Sequence, residues 1–223
     1  MSARMLASAV LLLSLTAPVG VHAVHAAPTL SSAETADILY TREEEKVARD
    51  SYLTLGGLWG LEVFANIATA EQSHMDAMLE LIERYALQDP VGSHPVGVFT
   101  DPHLQALYDS LMASGQVSSL SALQVGGLIE ETDLVDIAGA VARSEHTDIT
   151  KTYETLMCGS RNHLRGFAQV IASTTGQPYV AQVLPQATVD EILASPSENC
   201  GRGSTRSAQR SDGHSAVPRH PNP

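Results

Sequence analysis

The residues with the clearest chemical potential are Glu71 and His74, in the segment AEQSHM. On a helix, a carboxylate and an imidazole three residues apart share one face and can hold the same cation. Ile67 and Met78 flank them at the four-residue spacing of a buried stripe. The pattern predicts a Glu-x-x-His metal motif directed into a helical core. The alternative is a hydrogen-bonded Glu-His pair, because an unpartnered buried carboxylate costs several kcal/mol.

Further candidate ligands lie at matching levels of two expected helical hairpins. In two antiparallel helices of equal rise, residues at the same level are equidistant from the turn. By this criterion Glu44 opposes Glu71 across a glycine-rich break, and Glu131 opposes His163 across a polar turn. The predicted metal ligands are therefore Glu44, Glu71, His74, Glu131 and His163.

Two of these assignments have a neighbouring alternative. Glu45 follows Glu44 in an acidic run, and Glu130 directly precedes Glu131. Each neighbour fits a helix face rotated by one residue, which is about 100°. The sequence leaves both pairs open. The glutamates of the run that are not ligands are expected on a solvated face.

Carboxylates combined with imidazoles are suitable ligands for iron and manganese. In four-helix carboxylate proteins, two helices each supply one Glu and two each supply a Glu-x-x-His, and together they hold two ions. This chain departs from that pattern because Ser160 stands three residues before His163. Glu154 does not replace it, since its spacing from His163 places it on the opposite side of the helix. The sequence therefore predicts one or two iron or manganese ions.

The helices that must position these residues follow from apolar periodicity and from Gly and Pro breaks. Two hairpins are expected, joined by an irregular crossover at 89–102, with no segment of strand periodicity. Helices are predicted at 31–55, 64–87, 104–113, 118–143 and 149–173, followed by an extension at 177–200 with a helical piece at 189–194. The predicted fold is an all-α, ferritin-like four-helix bundle with one long crossover.

Composition limits the partners of this chain. Its 223 residues include 13 Lys and Arg against 25 Asp and Glu, for a net charge of −12. Such a charge repels a phosphate backbone, so nucleic acid is an unfavourable partner. A chain of this length can bury one sizeable core or at most two small ones, and a composition that is 43% hydrophobic but only 4% aromatic favours aliphatic helix packing. The sequence leaves a homo-oligomer open.

The two ends of the chain differ from its middle. Residues 1–26 have the pattern of a secretory signal peptide, with Arg4 before an apolar stretch and a small-x-small site ending at Ala26. The mature domain is then 27–200, and 201–223 is expected to be a disordered tail. A periplasmic or secreted protein without a membrane anchor follows. Cys158 and Cys200 allow one disulfide, which the sequence does not decide.

Five segments together resemble the DUF2202 family of ferritin-like proteins over about residues 33–185. They are TREEEKVARDSY (41–52), AEQSHMDA (70–77), PVGVFTDP (95–102), LIEETDL (128–134) and GSRNHLRGF (159–167). The resemblance implies a ferritin-like bundle with a carboxylate metal centre and no established activity. By that analogy the five candidate ligands inherit their role.

Two functions follow as expectations. The first is a secreted metalloprotein whose iron or manganese site reacts with dioxygen or peroxide, as in a non-haem oxidoreductase. The second is a structural or interaction bundle in which the inward Glu and His form a polar network or hold a purely structural metal. The sequence identifies no catalytic residue beyond the candidate ligands.

Overall fold

The computed structural model describes residues 29–201, which form six α-helices and no β-strand. The helices are α1 (Ser32–Trp59), α2 (Glu62–Arg84), α3 (Pro102–Gly115), α4 (Ser119–Arg143), α5 (Thr147–Thr175) and α6 (Gln186–Ala194). The predicted all-helical class is confirmed for this range. The expected signal peptide and residues 202–223 of the expected tail lie outside it. Within 29–201, no helix combines the length and the apolar character that a membrane span requires.

The junction between α1 and α2 differs from the sequence prediction. The first helix is predicted to end at Leu55, but α1 continues through the glycine pair to Trp59. Gly56 lies inside the helix, at a point where α2 approaches closely. A Cβ atom there would lie 2.9 Å from Cβ of Phe64, so the position suits a residue without a side chain. The chain turns instead at Gly60, whose φ of 66° is in the left-handed region. The turn therefore lies within the predicted break, but α1 is longer and the connection shorter than the sequence predicts.

The four long helices pack as two antiparallel pairs. Helix α1 packs along α2, and α4 packs along α5. Contacts between α1 and α4 and between α2 and α5 join the pairs, and α3 packs against α1 and α4. The short connections at 60–61 and 144–146 require each pair to be antiparallel. This arrangement directs one face of each long helix toward a shared interior.

Two apolar clusters fill that interior. The first includes Tyr52, Phe64 and Phe167, whose rings pack with centroids 5.2 to 6.0 Å apart. The second includes Ile38 and Met78. Along α2, Glu71 and His74 lie between the residues of the first cluster and those of the second. Apolar packing therefore covers a polar layer on both sides.

The acidic run in α1 is buried rather than solvated. Lys46, which is fully buried, donates hydrogen bonds to Asp50 and to the carbonyl oxygen of Pro95, the latter at 2.8 Å. The N–H of Gly97 donates to the same aspartate at 2.9 Å. Glu43 accepts hydrogen bonds from two backbone N–H groups just before α3. The charges of this run therefore fasten the crossover to α1.

A disulfide bond joins Cys158 on α5 to Cys200, with their Cα atoms 5.6 Å apart. Beside it, the carboxylate of Glu198 binds Arg161 at 2.5 Å and Arg165 at 3.1 Å. The pairing that the sequence left open is thus formed. These contacts hold the segment after α6 against α5.

Helix α1 begins with a capping box that also binds the turn between α4 and α5. The hydroxyl of Ser31 accepts from the N–H of Glu34, and the N–H of Ser31 donates back to the Glu34 carboxylate. The other oxygen of Glu34 accepts from the N–H of Glu145 at 2.8 Å and lies 2.7 Å from Nδ1 of His146. Burial opposes ionisation of this carboxyl, but these donors lower its pKa to about 2.

This linkage predicts a measurable acid sensitivity. Because the pKa of Glu34 is lower in the folded protein than its usual value of 4.5, the stabilisation is complete above pH 4.5 and is lost as the pH falls toward about 2. We expect the free energy of unfolding in urea to fall more steeply over this window in the wild type than in Glu34→Gln. Parallel curves for the two proteins would contradict the assignment.

Candidate metal centre

Glu71 lies at the centre of a buried cluster of carboxylates and imidazoles. Its Oε2 atom is 2.7 Å from Nδ1 of His74, and its Oε1 atom is 2.7 Å from Nδ1 of His163. Helix α2 supplies Glu71 and His74 one turn apart, and α5 supplies His163. One ligand atom from each of the three lies within 4.8 Å of the others, so this group could hold a metal ion.

Two further carboxylates border this group, one from each remaining long helix. Oε2 of Glu45 on α1 is 3.1 Å from Nδ1 of His74, and Oε2 of Glu130 on α4 is 3.5 Å from Nδ1 of His163. Both side chains are buried. The hydroxyl of Tyr52 donates to the other oxygen of Glu130 at 2.5 Å and holds that carboxylate in place. All four long helices therefore contribute to the cluster.

The contacts inside the cluster are short but are not all hydrogen bonds. Neither oxygen of Glu71 has a hydrogen-bond partner of correct geometry among the described residues, and the same holds for Nδ1 of His163. Oε1 of Glu45 and Oε2 of Glu130 are in the same condition. Buried polar atoms are normally satisfied, and a group of unsatisfied ones at one place requires an explanation. A cation bonded to these atoms would satisfy them.

Burial and mutual charge shift the titration of the whole cluster. Burial raises the pKa of Glu45 to about 8 and that of Glu130 to about 7, although neighbouring imidazoles act against the shift. Burial also disfavours ionised Glu71, but the two imidazoles hold its pKa well below the usual range. Burial lowers the pKa of His163, but Glu71 and Glu130 raise it to about 10. Protons therefore compete with a cation for this site.

The orientation of His74 depends on a glycine in α5. An ideal Cβ atom at Gly159 would lie 2.3 Å from Nε2 of His74, so the imidazole edge occupies the space that a side chain would take. This packing points Nδ1 of His74 toward Glu45 and Glu71. A pocket of about 420 Å³ between α2 and α5 reaches both imidazoles and is bordered by Cys200.

The structure brings together three of the five predicted ligands, Glu71, His74 and His163. It does not bring Glu131 to them. Both oxygens of Glu131 accept hydrogen bonds from the backbone N–H groups of residues 182–184, at 2.7 to 3.1 Å, and Oε1 also accepts from the hydroxyl of Tyr179. Glu131 fastens the C-terminal extension to α4, while its neighbour Glu130 faces the cluster.

We expect Glu131→Gln to loosen that extension. In the wild type, these backbone N–H groups share the carboxylate of Glu131. The amide of Gln would turn an N–H₂ group, which cannot accept a hydrogen bond, toward some of these donors. Leaving buried donors unsatisfied costs about 1 to 3 kcal/mol. The free energy of unfolding should fall by that order, and residues 179–184 should become sensitive to limited proteolysis. Val183→Ala changes an exposed side chain, keeps the backbone donor and serves as the control. Equal protease resistance in Glu131→Gln and the wild type would contradict this role.

Glu44 is the other predicted ligand that lies apart from the cluster. It is buried, but its carboxyl group contacts Asp136 on α4 and lines a small cavity with Asp133. Glu45, one residue further along α1, occupies the position beside His74. The face of α1 that meets α2 therefore carries Glu45, which is rotated by about 100° from the predicted ligand Glu44.

Two residues near the cluster were not selected from the sequence. Tyr52 packs among the aromatic rings and binds Glu130, and only its spacing from the α1 glutamates could have indicated this. Asp133 is buried with Oδ2 unpartnered, and it follows Glu130 by one helical turn. The spacing Glu-x-x-Asp in α4 was the available signal for it.

Comparison with known proteins places the chain in a family. An uncharacterized protein of Methanocaldococcus jannaschii, MJ0754, is 41% identical over 169 residues, which cover 76% of this chain and 91% of that protein. The crystal structure of hypothetical protein MJ0754 from Methanococcus jannaschii matches with a TM-score of 0.74 and 40% identity, over 76% of this chain and 97% of that one. The protein-family model described as an uncharacterized protein domain, DUF2202, matches residues 34–196 of this chain. The chain therefore belongs to the DUF2202 family.

Proposed function

We propose that this protein is a ferritin-like four-helix metalloprotein that binds iron or manganese at Glu45, Glu71, His74, Glu130 and His163. The observation that carries the proposal is the unsatisfied centre of the cluster. Glu71 has both oxygens 2.7 Å from imidazole nitrogens, and neither oxygen has a hydrogen-bond partner of correct geometry. Two antiparallel pairs with an intervening crossover are the arrangement that supports the ferritin-like assignment.

The donor set fits these metals. Carboxylate oxygens combined with imidazole nitrogens suit iron and manganese, and the two cysteines are joined in a disulfide and supply no thiolate. Three carboxylates and two imidazoles suffice for one ion and border on two, since Ser160 occupies the place where a second Glu-x-x-His would have its carboxylate. When bound, such an ion would supply redox chemistry toward dioxygen or peroxide.

The protein's own residues have separable tasks in this proposal. Glu71 joins the two imidazoles, and Tyr52 orients Glu130 by donating to its far oxygen. The apolar clusters on both sides exclude water from the polar layer. The pocket between α2 and α5 gives a small molecule a path to the imidazole side of the site.

Metal analysis tests this function directly. The full chain, purified without an affinity tag, would be analysed for metals as isolated and after anaerobic reconstitution with Fe²⁺. We expect one or two iron or manganese ions per chain, and a large loss in His74→Ala. The exposed His103 provides the matched control, since His103→Ala should keep the full metal content.

A second function, a structural bundle with an inward polar network, predicts a different outcome. Wild type and His74→Ala would then both contain close to no metal after reconstitution. Zinc in the isolated protein, with no uptake of iron, would instead favour a structural metal.

Export is part of the same proposal. A disulfide between Cys158 and Cys200 persists most readily in an oxidising compartment, which supports the secretory pattern of residues 1–26. N-terminal sequencing of exported protein should begin at Ala27. An intact Met1, or retention in carbonate-washed membranes, would contradict export by signal cleavage.

A further inference from the structure

Buried carboxylates continue outward from the metal cluster along α4. Glu130, Asp133 and Asp136 are spaced three residues apart, and each step falls about 60° short of a full helical turn. Successive side chains therefore rotate away from the centre. Their exposure follows this rotation, because Glu130 is 0% exposed, Asp133 is 2% exposed, and Asp136 is partly exposed at the surface.

Glu44 on α1 lies against this series. It is 3% exposed, and no described N–H or hydroxyl group donates to either of its oxygens. Oδ2 of Asp133 likewise has no partner. The carboxyl group of Glu44 contacts that of Asp136, so two acids meet here. Buried carboxylates without donors are costly, and a positively charged ligand is the chemistry that they favour.

Glu44 and Asp133 both border one cavity. It has a volume of about 80 Å³, Thr132 is its third polar residue, and its other lining residues are apolar: Val47, Leu107, Leu111, Leu128 and Ile129. A cavity needs only about 10 to 15 Å³ of such volume for one water molecule, so a partly hydrated cation fits.

The outer end of the series opens at the surface. Asp136 lines a pocket of about 370 Å³ together with Asp37, Thr41 and Arg143. The guanidinium of Arg143 is bound to both oxygens of Asp37 at 2.9 Å, so its positive charge is compensated there. Asp136 is the carboxyl group of this pocket that also contacts Glu44. A cation entering here meets Asp136 first and then Glu44, which contacts it.

We propose that Asp136, Glu44 and Asp133 form a route by which a divalent cation passes between α1 and α4 to the Glu71 cluster. The inference rests on the proposed metal-binding function and adds the direction of loading. It assigns the two faces of the site different tasks. The α1–α4 face carries carboxylates and attracts cations, while the pocket between α2 and α5 is bordered by imidazoles and the disulfide.

The rate of Mn²⁺ uptake tests the route. Metal-free full-length protein would be mixed with Mn²⁺, and the loss of the electron paramagnetic resonance signal of free Mn²⁺ would be followed in time. Carboxylate-lined clefts raise cation association rates by about 10-fold to 1,000-fold. We therefore expect Glu44→Gln and Asp136→Asn each to slow uptake at least tenfold, with the final Mn²⁺ content unchanged. The exposed Glu154 provides the control, and Glu154→Gln should load at the wild-type rate.

Each of the following outcomes would overturn the route. The first is an unchanged uptake rate in Glu44→Gln and Asp136→Asn. The second is slow loading in Ser73→Phe alone, which would indicate entry through the α2–α5 pocket that Ser73 borders. A loss of final Mn²⁺ content in Glu44→Gln would make Glu44 a ligand rather than a route residue. If the wild type takes up no Mn²⁺, the proposed function fails as well. Normal wild-type loading with unchanged variant rates would refute the route alone.

Discussion

Glu71→Gln is expected to lower the affinity for Mn²⁺ more than about a hundredfold. The carboxylate of Glu71 contacts both imidazoles of the cluster, with one oxygen 2.7 Å from each Nδ1 atom. Loss of a group that only supports a ligand already costs about 10-fold to 100-fold in metal affinity. Loss of the central ligand itself should exceed that. Equilibrium titration with Mn²⁺ at constant pH measures the effect.

The amide keeps the shape of the side chain, so the substitution tests charge and coordination rather than packing. Glu154→Gln makes the same chemical change on the exposed side of α5 and should leave the affinity unchanged. Thermal unfolding of the metal-free proteins separates the two candidate functions. If Glu71 serves only a polar network, Glu71→Gln will destabilise the metal-free chain without any effect on Mn²⁺. That combination would refute the metal site.

The helices and the three central cluster residues could be predicted from local patterns. Apolar periodicity located every long helix to within a few residues, and the spacing of Glu71 and His74 placed both on the inner face of α2. His163 followed from its level in the second hairpin. These features depend on helix geometry alone, which a sequence displays directly.

The choice between adjacent glutamates could not be made in the same way. A shift of one residue rotates a helix face by about 100°, so the choice depends on where the turn falls. Gly56 indicated a break but serves close packing against Phe64, and the turn occurs at Gly60. With the turn at Gly60, Glu45 rather than Glu44 lies beside His74. A glycine in a sequence does not reveal which of these two tasks it performs.

Glu131 shows a second kind of limit. Its carboxylate is held by backbone N–H groups of residues 182–184, far along the chain, and nothing near Glu131 in the sequence indicates that partner. Residue type and burial alone are equally consistent with a metal ligand. Only the three-dimensional position of the C-terminal extension distinguishes the two roles.

Gly159→Ala is expected to lower Mn²⁺ affinity at least tenfold by displacing His74. An added Cβ atom would lie 2.3 Å from Nε2 and 2.5 Å from Cε1 of that imidazole, far inside contact distance. The ring cannot retreat directly, because Glu45 and Glu71 lie against its other edge at 3.1 and 2.7 Å. It must therefore rotate, and Nδ1 then leaves the cluster. Sites of this kind lose function when a ligand is misplaced by even about 1 Å.

Gly166→Ala on the same helix isolates the clash from the change in helix propensity. There the added Cβ atom would make ordinary contacts, 3.6 Å from Ile67 and 3.7 Å from Val63. Both substitutions replace Gly by Ala inside α5, which favours the helix by about 1 kcal/mol. We expect the loss of Mn²⁺ affinity in Gly159→Ala and not in Gly166→Ala. If Gly159→Ala causes no further loss in a protein that already carries His74→Ala, the effect acts through the imidazole of His74. Equal affinities in the two alanine variants would mean that His74 can move without cost, and that its orientation by α5 does not matter for the site.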